Sequence, residues 1–351
     1  MLIVPITIGI GFRNSLSSSN TMKILYAIQG TGNGHISRAR DFIPALQSRA
    51  ELDILISGTQ FDVSLPQEIK YKFKGASFIF GKIGGVDYWE TFKNLRPLTF
   101  ANDIRKLDLK SYDFILNDFE PVSAWAGKIK KKPVIALSHQ SSFLSPKTPR
   151  ANFKDSFTEG LFRNYAPSNK QIGFHFEAYD DFINTPIIRK EIRALRPVNN
   201  GHYTVYLPAY DDKLLIKYLS TISNVQWEVF SKWEHKGYTI GNVSIRPVNN
   251  EAFNLSMSTC EGLLTGGGFE APAEALFLKK KVLVIPMLGQ YEQACNAEAI
   301  RRLGVPVLSI IDSNTISTIQ NWVKHGEVVN VDFPDNLDNV VEKIFRMTES
   351  R

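Results

Sequence analysis

The stretch LLTGGGFEAPAEALFLKKKVLVIPMLGQYEQACNA, Leu263–Ala297, decides how the chain is read. Leu263–Thr265 closes an apolar run and three glycines follow. Phe269–Leu278 then has helical spacing, with Pro272 in the first turn, where the proline's missing N–H is tolerated. Val282–Ile285 is a second short apolar run. A polar loop rich in hydrogen-bonding side chains, with Glu292, Gln293 and Asn296, comes after it. Strand, glycine turn, helix, strand is the unit of a doubly wound parallel sheet. Glycine at such a turn lets a ligand approach the backbone, and the amides that open a helix favour an anion.

The same grammar opens the chain. Lys23–Gln29 (KILYAIQ) is an apolar run that stops at Gly30-Thr-Gly-Asn-Gly34, and a helical stretch, Ile36–Arg49, follows. Further strands are expected at Asp53–Ser57, Asp113–Leu116 and Pro133–Leu137, with Ile172–Phe176 closing the set and Val122–Ile129 among the helices. The segment Asp180–Asn200 breaks the pattern with Pro186, Pro197 and a charged run, Arg189–Arg193, and reads as a linker. The pattern restarts with strands at Tyr203–Leu207, Val225–Phe230, Val243–Pro247, Gly262–Thr265 and Val282–Ile285, and a helix at Asp211–Ser220. At 351 residues the chain also exceeds the size of a single core. The expectation is α/β: two tandem Rossmann-like domains, 22–184 and 185–335, after an extension over 1–21 and before a closing helix in 336–351. In open α/β sheets ligands bind at the carboxyl ends of the strands, so the site belongs in the cleft between the two sheets.

Hydrophobic content of 43% and charged content of 22% are those of a globular protein. The net charge of +6 is mild, and much of it lies at Lys128, Lys130–Lys132 and Lys279–Lys281. Each cluster precedes an apolar run and reads as a solvated turn; a cationic surface for anionic lipid is the alternative. The basic residues are not interleaved with aromatics on one element, which argues against nucleic acid. Cys260 and Cys295 have neither metal-ligand spacing nor disulfide density, so idle thiols in a reducing cytoplasm are expected. The apolar run Leu2–Phe12 lacks the cationic start of a secretory signal and is about half the length of a membrane span.

Chemistry is carried by a few positions. GTGNGH spaces Gly30, Gly32 and Gly34 at every second residue, which is not the G-x-G-x-x-G of a dinucleotide dehydrogenase. His35 enters a helix at the top of a strand, where an imidazole can take a proton near neutral pH. In YDFILNDFEPVSAW, Asp118 ends another strand and can orient that imidazole; helix capping is its structural alternative, and Glu120 is a second acid in reach. Gly266, Gly267 and Gly268 offer amides to a diphosphate, and Glu274, about a turn further on, can accept from a ribose diol.

LTGGGFEAPAEA (264–275), followed by VLVIP and EQACNA, resembles the donor-binding box of GT-B-fold nucleotide-sugar glycosyltransferases. These include the glycosyltransferase family 1 enzymes and the peptidoglycan N-acetylglucosaminyltransferase. GNGHIS resembles the segment carrying their acceptor-activating histidine, and LNDFEP the strand end carrying its aspartate partner. The resemblance implies His35 as general base, Asp118 as its partner, Gly266–Gly268 on the diphosphate and Glu274 on the ribose. It places Glu292 and Gln293 on the donor sugar, with Asn296 a looser match. Gly32, Asn33, Gly34, Glu120, His139 and Gln140 are expected as further candidates for contact with donor or acceptor.

The chain departs from that family at two positions. Gly266 stands where many members have a histidine on the diphosphate, and Glu270 stands where they have an asparagine. Retaining enzymes carry a glutamate eight positions before the ribose-binding one; Gly266 occupies that place, and an inverting, metal-independent transfer from a UDP-sugar is implied. No cofactor is expected beyond that co-substrate. The acceptor is a lipid, a glycan or a small aglycone, shaped by the loops Gly81–Leu98 and Ser138–Arg150, in a cytoplasmic protein that can meet the inner membrane surface. Two rival readings stand beside this one. A non-hydrolysing nucleotide-sugar epimerase would turn over a UDP-sugar alone, and a silent sugar-nucleotide or lipid binder would not turn over at all.

Overall fold

The computed structural model describes residues 21–31, 33–60, 65–73 and 97–349. The N-terminal extension and most of the loop Gly81–Leu98 therefore lie outside the described residues, as do Gly32 and the side chain of Asn33.

The first sheet has strands β1 (Lys23–Thr31), β2 (Glu51–Gln60), β3 (Tyr71–Phe73), β4 (Phe114–Asp118), β5 (Val134–Ser138), β6 (Lys170–Phe174) and β7 (Ile183–Asn184). Their order is β3-β2-β1-β4-β5-β6-β7, and every pair is parallel. A central parallel strand is covered on both faces, which is why Ile24–Ile28 reads as an unbroken apolar run. The faces still alternate. Ile24, Tyr26 and Ile28 pack with Phe42 and Ile43 of the helix Asn33–Gln47, while Leu25 and Ala27 pack with Ile115, Val122 and Ala126 on the other side.

The second sheet has β8 (His202–Tyr206), β9 (Gln226–Ser231), β10 (Tyr238–Ile240), β11 (Val243–Pro247), β12 (Gly262–Thr265) and β13 (Lys281–Val284), ordered β10-β11-β9-β8-β12-β13. Only the edge pair β10–β11 is antiparallel. Both expected Rossmann-like sheets are thus present. Their apolar faces share one cluster that runs from Phe174 and Phe176 through Phe269 to Ala273 and Val284. The helix Leu337–Glu349 returns to the first sheet, where Val340, Ile344 and Phe345 join the same cluster and Arg49 meets Glu342 at 2.7 Å.

Several sequence expectations are corrected. Ile172–Phe176 does not close the first sheet, because β7 pairs beyond it from within the linker. Two edge strands, β3 and β10, are three residues each, too short to show alternation. The polar stretch after β13 is not a loop throughout. Tyr291–Arg302 is a helix whose N-cap, Gln290, accepts from the amide of Gln293, so Glu292, Gln293 and Asn296 project from its first turns. Lys280 is not solvated: it is 4% exposed, and its ammonium donates to the carbonyls of Val198 (2.6 Å) and Cys260 (2.8 Å). Both cysteines are free and buried, and burial raises both thiols, Cys295 to about 11. Among the described residues, no helix is long and apolar enough to cross a membrane.

Candidate active site

Strand alternation sends Leu116 and Asp118 of β4 toward the helix Asn33–Gln47, where His35 and Arg38 lie on one face at i and i+3. Asp118 is fully buried. Its Oδ1 accepts from His35 Nδ1 at 2.7 Å, and both its oxygens accept from Arg38 Nη2 at 2.8 Å. Burial pushes the Asp118 carboxyl up, but Arg38 and then His35 hold it net below the usual carboxylate range. A carboxylate only accepts, so the His35 proton sits on Nδ1 and Nε2 is left as the acceptor. That nitrogen has no hydrogen-bond partner among the described residues, and the side chain is 13% exposed.

Glu120 is not the partner of His35. It caps the helix Pro121–Lys130, accepting from the amides of Val122 (2.7 Å) and Ser123 (2.6 Å) and from Ser57 Oγ (2.6 Å). Phe119 separates the two acids at φ 54°, the left-handed region that a side chain enters at a cost of about 1–3 kcal/mol. That turn lets Asp118 face the first helix while Glu120, two residues later, faces the next one. The Phe119 ring is held against Tyr165, with centroids 4.9 Å apart.

Arg38 is the residue the sequence reading missed, although its i+3 spacing from His35 was the available signal. It is 3% exposed and spans the two domains, donating through Nη1 to Glu270 Oε1 at 2.6 Å. The Glu270 carboxylate, next to the glycine loop, is thus paired with a guanidinium from the first domain. Burial pushes its carboxyl up to about 7 against the downward pull of Arg38. The two domains come close at the same seam: a Cβ on Gly34 would lie 3.3 Å from Glu270 Cγ.

The glycine loop is more occupied than expected. Gly266 N–H donates to the Tyr206 carbonyl at 3.2 Å, and Gly267 N–H donates to Gln293 Oε1 at 3.1 Å. Gly267 is bare for close packing: a Cβ would sit 2.7 Å from the Gln293 carbonyl oxygen. Gly268 is exposed, and a Cβ there would meet nothing within 4 Å. Of the three expected amide donors, Gly268 alone is left open to a ligand, at the start of the helix Glu270–Phe277. Beside it is a cavity of roughly 100 Å3, lined by Tyr206, Thr265, Gly268, Pro272 and Met287 among others.

The other expected donor contacts are engaged within the protein. Gln293 Oε1 also accepts from the Met287 amide at 3.0 Å, so this side chain braces the loop. Asn296 Nδ2 donates to the Gly267 carbonyl at 3.1 Å and its Oδ1 meets His139 Nε2 at 2.9 Å. His139 is also held by the Phe174 carbonyl (2.8 Å) and stacks on Phe269 at 4.1 Å; burial lowers it to about 4. Gln140 donates to Glu292 Oε1 at 3.2 Å, and burial raises the Glu292 carboxyl against the opposing charge of His35. These pairs are seam contacts between the domains. Glu274 is 2% exposed, with its Oε1 and Oε2 on Arg189 Nε (2.5 Å) and Nη2 (2.8 Å) from the linker. A ribose reaches it only beside or in place of that guanidinium. Among the described residues, no group of three or more His, Cys, Asp or Glu could hold a metal ion.

A family model described as glycosyl transferase family 1 matches residues 22–324. No curated protein matches the chain in sequence. Among solved structures, a UDP-glucosyltransferase from Polygonum tinctorium, capable of glucosylating indoxyl, is 13% identical over 95% of this chain and 100% of that one, with a TM-score of 0.59. MurG of Acinetobacter baumannii is 11% identical over 93% and 100%, with a TM-score of 0.57. UGT89C1 of Arabidopsis thaliana, complexed with UDP, is 13% identical over 94% and 96%, with a TM-score of 0.56. At these identities the likeness is one of fold.

Proposed function

The chain belongs to glycosyl transferase family 1, and on that premise we propose that it moves a sugar from a nucleotide diphosphate, a UDP-sugar, to an acceptor hydroxyl with inversion. The observation that carries the mechanism is the His35–Asp118 bond of 2.7 Å with Nε2 left as an acceptor. The acceptor oxygen attacks the anomeric carbon as the bond from that carbon to the diphosphate breaks. The hydroxyl proton passes to Nε2, and Asp118 stabilises the imidazolium that forms. The Gly268 amide and the start of the helix Glu270–Phe277 receive the charge of the departing diphosphate. Glu274, oriented by Arg189, is the proposed ribose acceptor.

Ligand pockets run to about 300–1,000 Å3. The roughly 100 Å3 beside Gly268 is smaller, so on this reading the donor enters with the domains further apart. The solved structure in complex with UDP lends the donor class its support. A cytoplasmic location is proposed with it. The edge with Lys128, Lys131 and the 61%-exposed Ile129 is where an anionic membrane surface would be met; the neighbouring Lys130 ammonium is held by the carbonyls of Ile104, Arg105 and Leu107.

The test is His35→Ala. Transfer from UDP-glucose or UDP-N-acetylglucosamine should fall by about two decades or more, while UDP binding measured by calorimetry stays within about twofold. Loss of both in equal measure, or of neither, removes His35 as the base.

A further inference from the structure

The base pair is not electrically self-contained. Arg38 puts a buried guanidinium on the same carboxylate that holds His35, and its other arm reaches a carboxylate from the second domain. Asp118 and Arg38 cancel, so by themselves they give a forming imidazolium little net support. Once ionised, above about pH 7, Glu270 adds a second negative charge, and the group then carries a net charge of −1 around His35. Glu270 stands at the start of the helix that follows the open Gly268 amide. It is therefore brought to Arg38 only when the glycine loop is apposed to the first domain.

We propose that Arg38 is a positioning residue through which Glu270 acts on the His35–Asp118 pair, so that the base has its full anionic support only when the two domains close on one another. This rests on the reading of His35 as the base. A guanidinium suits the role because its planar fork can hold two carboxylates at once, which an ammonium cannot do in fixed geometry. Arg38 Nε is buried without a partner, so the side chain is held by these two carboxylates and by the Phe174 ring, whose centroid lies 5.5 Å from the guanidinium carbon.

Other charged and titratable groups face this cluster. Tyr26 of β1 is buried beside Arg38 and Asp118. His139, after β5, and Glu292 both feel His35 and Arg38. Glu274 and Arg189 lie behind Glu270 and oppose one another. His139 is kept uncharged by burial, and Arg189 is shared between Glu274 and Glu191. Glu292 is the remaining acid beside His35; the Gln140 amide donates to it at 3.2 Å and His139 Nε2 lies 3.9 Å from it. Glu270 is the acid joined to the pair by a direct ion bridge.

The experiment uses the full chain with His35→Ala, Glu270→Gln, Arg38→Gln and Arg38→Lys. UDP release from UDP-glucose and UDP-N-acetylglucosamine is followed from about pH 5.5 to about pH 9, with UDP binding by calorimetry alongside. Glu270→Gln should lower kcat about tenfold above about pH 7, where the glutamate is ionised, and move the upper part of the acidic limb of the rate profile to lower pH, with UDP affinity within about twofold. Arg38→Gln should move the same limb to higher pH, because the cation is lost and Asp118 is not. Arg38→Lys should keep the limb in place and recover only part of the rate. Shifts in the same direction, or a Glu270→Gln profile like that of the wild type, overturn the coupling. So does a loss of UDP affinity that matches the loss of kcat. His35→Ala turning over like the wild type fails the underlying reading instead. If Arg38→Gln does not fold, Glu270→Gln still decides, since that side chain is a quarter exposed and the glutamine keeps an acceptor for Arg38.

Discussion

Replacing Asp118 by asparagine separates charge from geometry. Asp118 Oδ1 accepts from both His35 Nδ1 and Arg38, whereas Oδ2 accepts from Arg38 alone. An amide oxygen at the Oδ1 position keeps the His35 tautomer, and the amide nitrogen then faces the guanidinium. What is lost is the negative charge under the imidazolium. Two unit charges about 4 Å apart at an effective dielectric of about 20 interact by about 4 kcal/mol. Arg38 already shares this carboxylate, so about 3 kcal/mol is the expected loss, or about two decades in kcat. Leaving Arg38 with one carboxylate should also cost about 2 kcal/mol of stability, less than the removal of a whole buried partner.

The control is Glu120→Gln. It weakens a helix cap by about 1–2 kcal/mol, but per folded molecule its kcat should stay within about twofold. Both variants are compared by single-turnover transfer and by urea melts at matched folded fraction. The reasoning is refuted if Asp118→Asn stays within fivefold (about 1 kcal/mol) of wild-type kcat, or if Glu120→Gln loses as much.

Two further substitutions separate packing from ligand approach in the glycine loop. Gly267→Ala should lower stability by about 1–3 kcal/mol, since its methyl meets the Gln293 carbonyl oxygen at 2.7 Å, and a melt measures this. Gly268→Ala should melt like the wild type yet lose UDP affinity by about tenfold or more, because its methyl enters the space where a diphosphate would lie; unchanged calorimetric affinity removes Gly268 from the donor site. Glu270 also makes stability depend on pH. Its folded carboxyl titrates at about 7, above the ordinary glutamate value of 4.5, so the folded state binds the extra proton between those values. Stability should fall as pH rises across that window, by at most about 3 kcal/mol, and Glu270→Gln should flatten the slope of melts taken at pH 5 and pH 8. A slope unchanged by the substitution contradicts the assignment.

The sequence by itself determined the parallel α/β halves, the break between them, the glycine turns at the strand ends, and His35 as the candidate base with an acid at a neighbouring strand end. Those features are written in short range: apolar runs of strand length, helical spacing, and residues that only a turn tolerates. It did not distinguish Asp118 from Glu120 as the partner, because the two lie two residues apart and only the left-handed turn at Phe119 decides which way each points. Nor did it separate a glycine that is bare for packing, Gly267, from one left open, Gly268.

Tertiary structure alone decided the ionic wiring. His35 finds Asp118 83 residues away, Arg189 finds Glu274 at 85, and Arg38 finds Glu270 at 232. A charge within a few ångströms is felt at any sequence separation, while periodicity reports only on neighbours along the chain. The partners of Arg38, Glu270 and Glu274 were therefore settled when the two sheets came together.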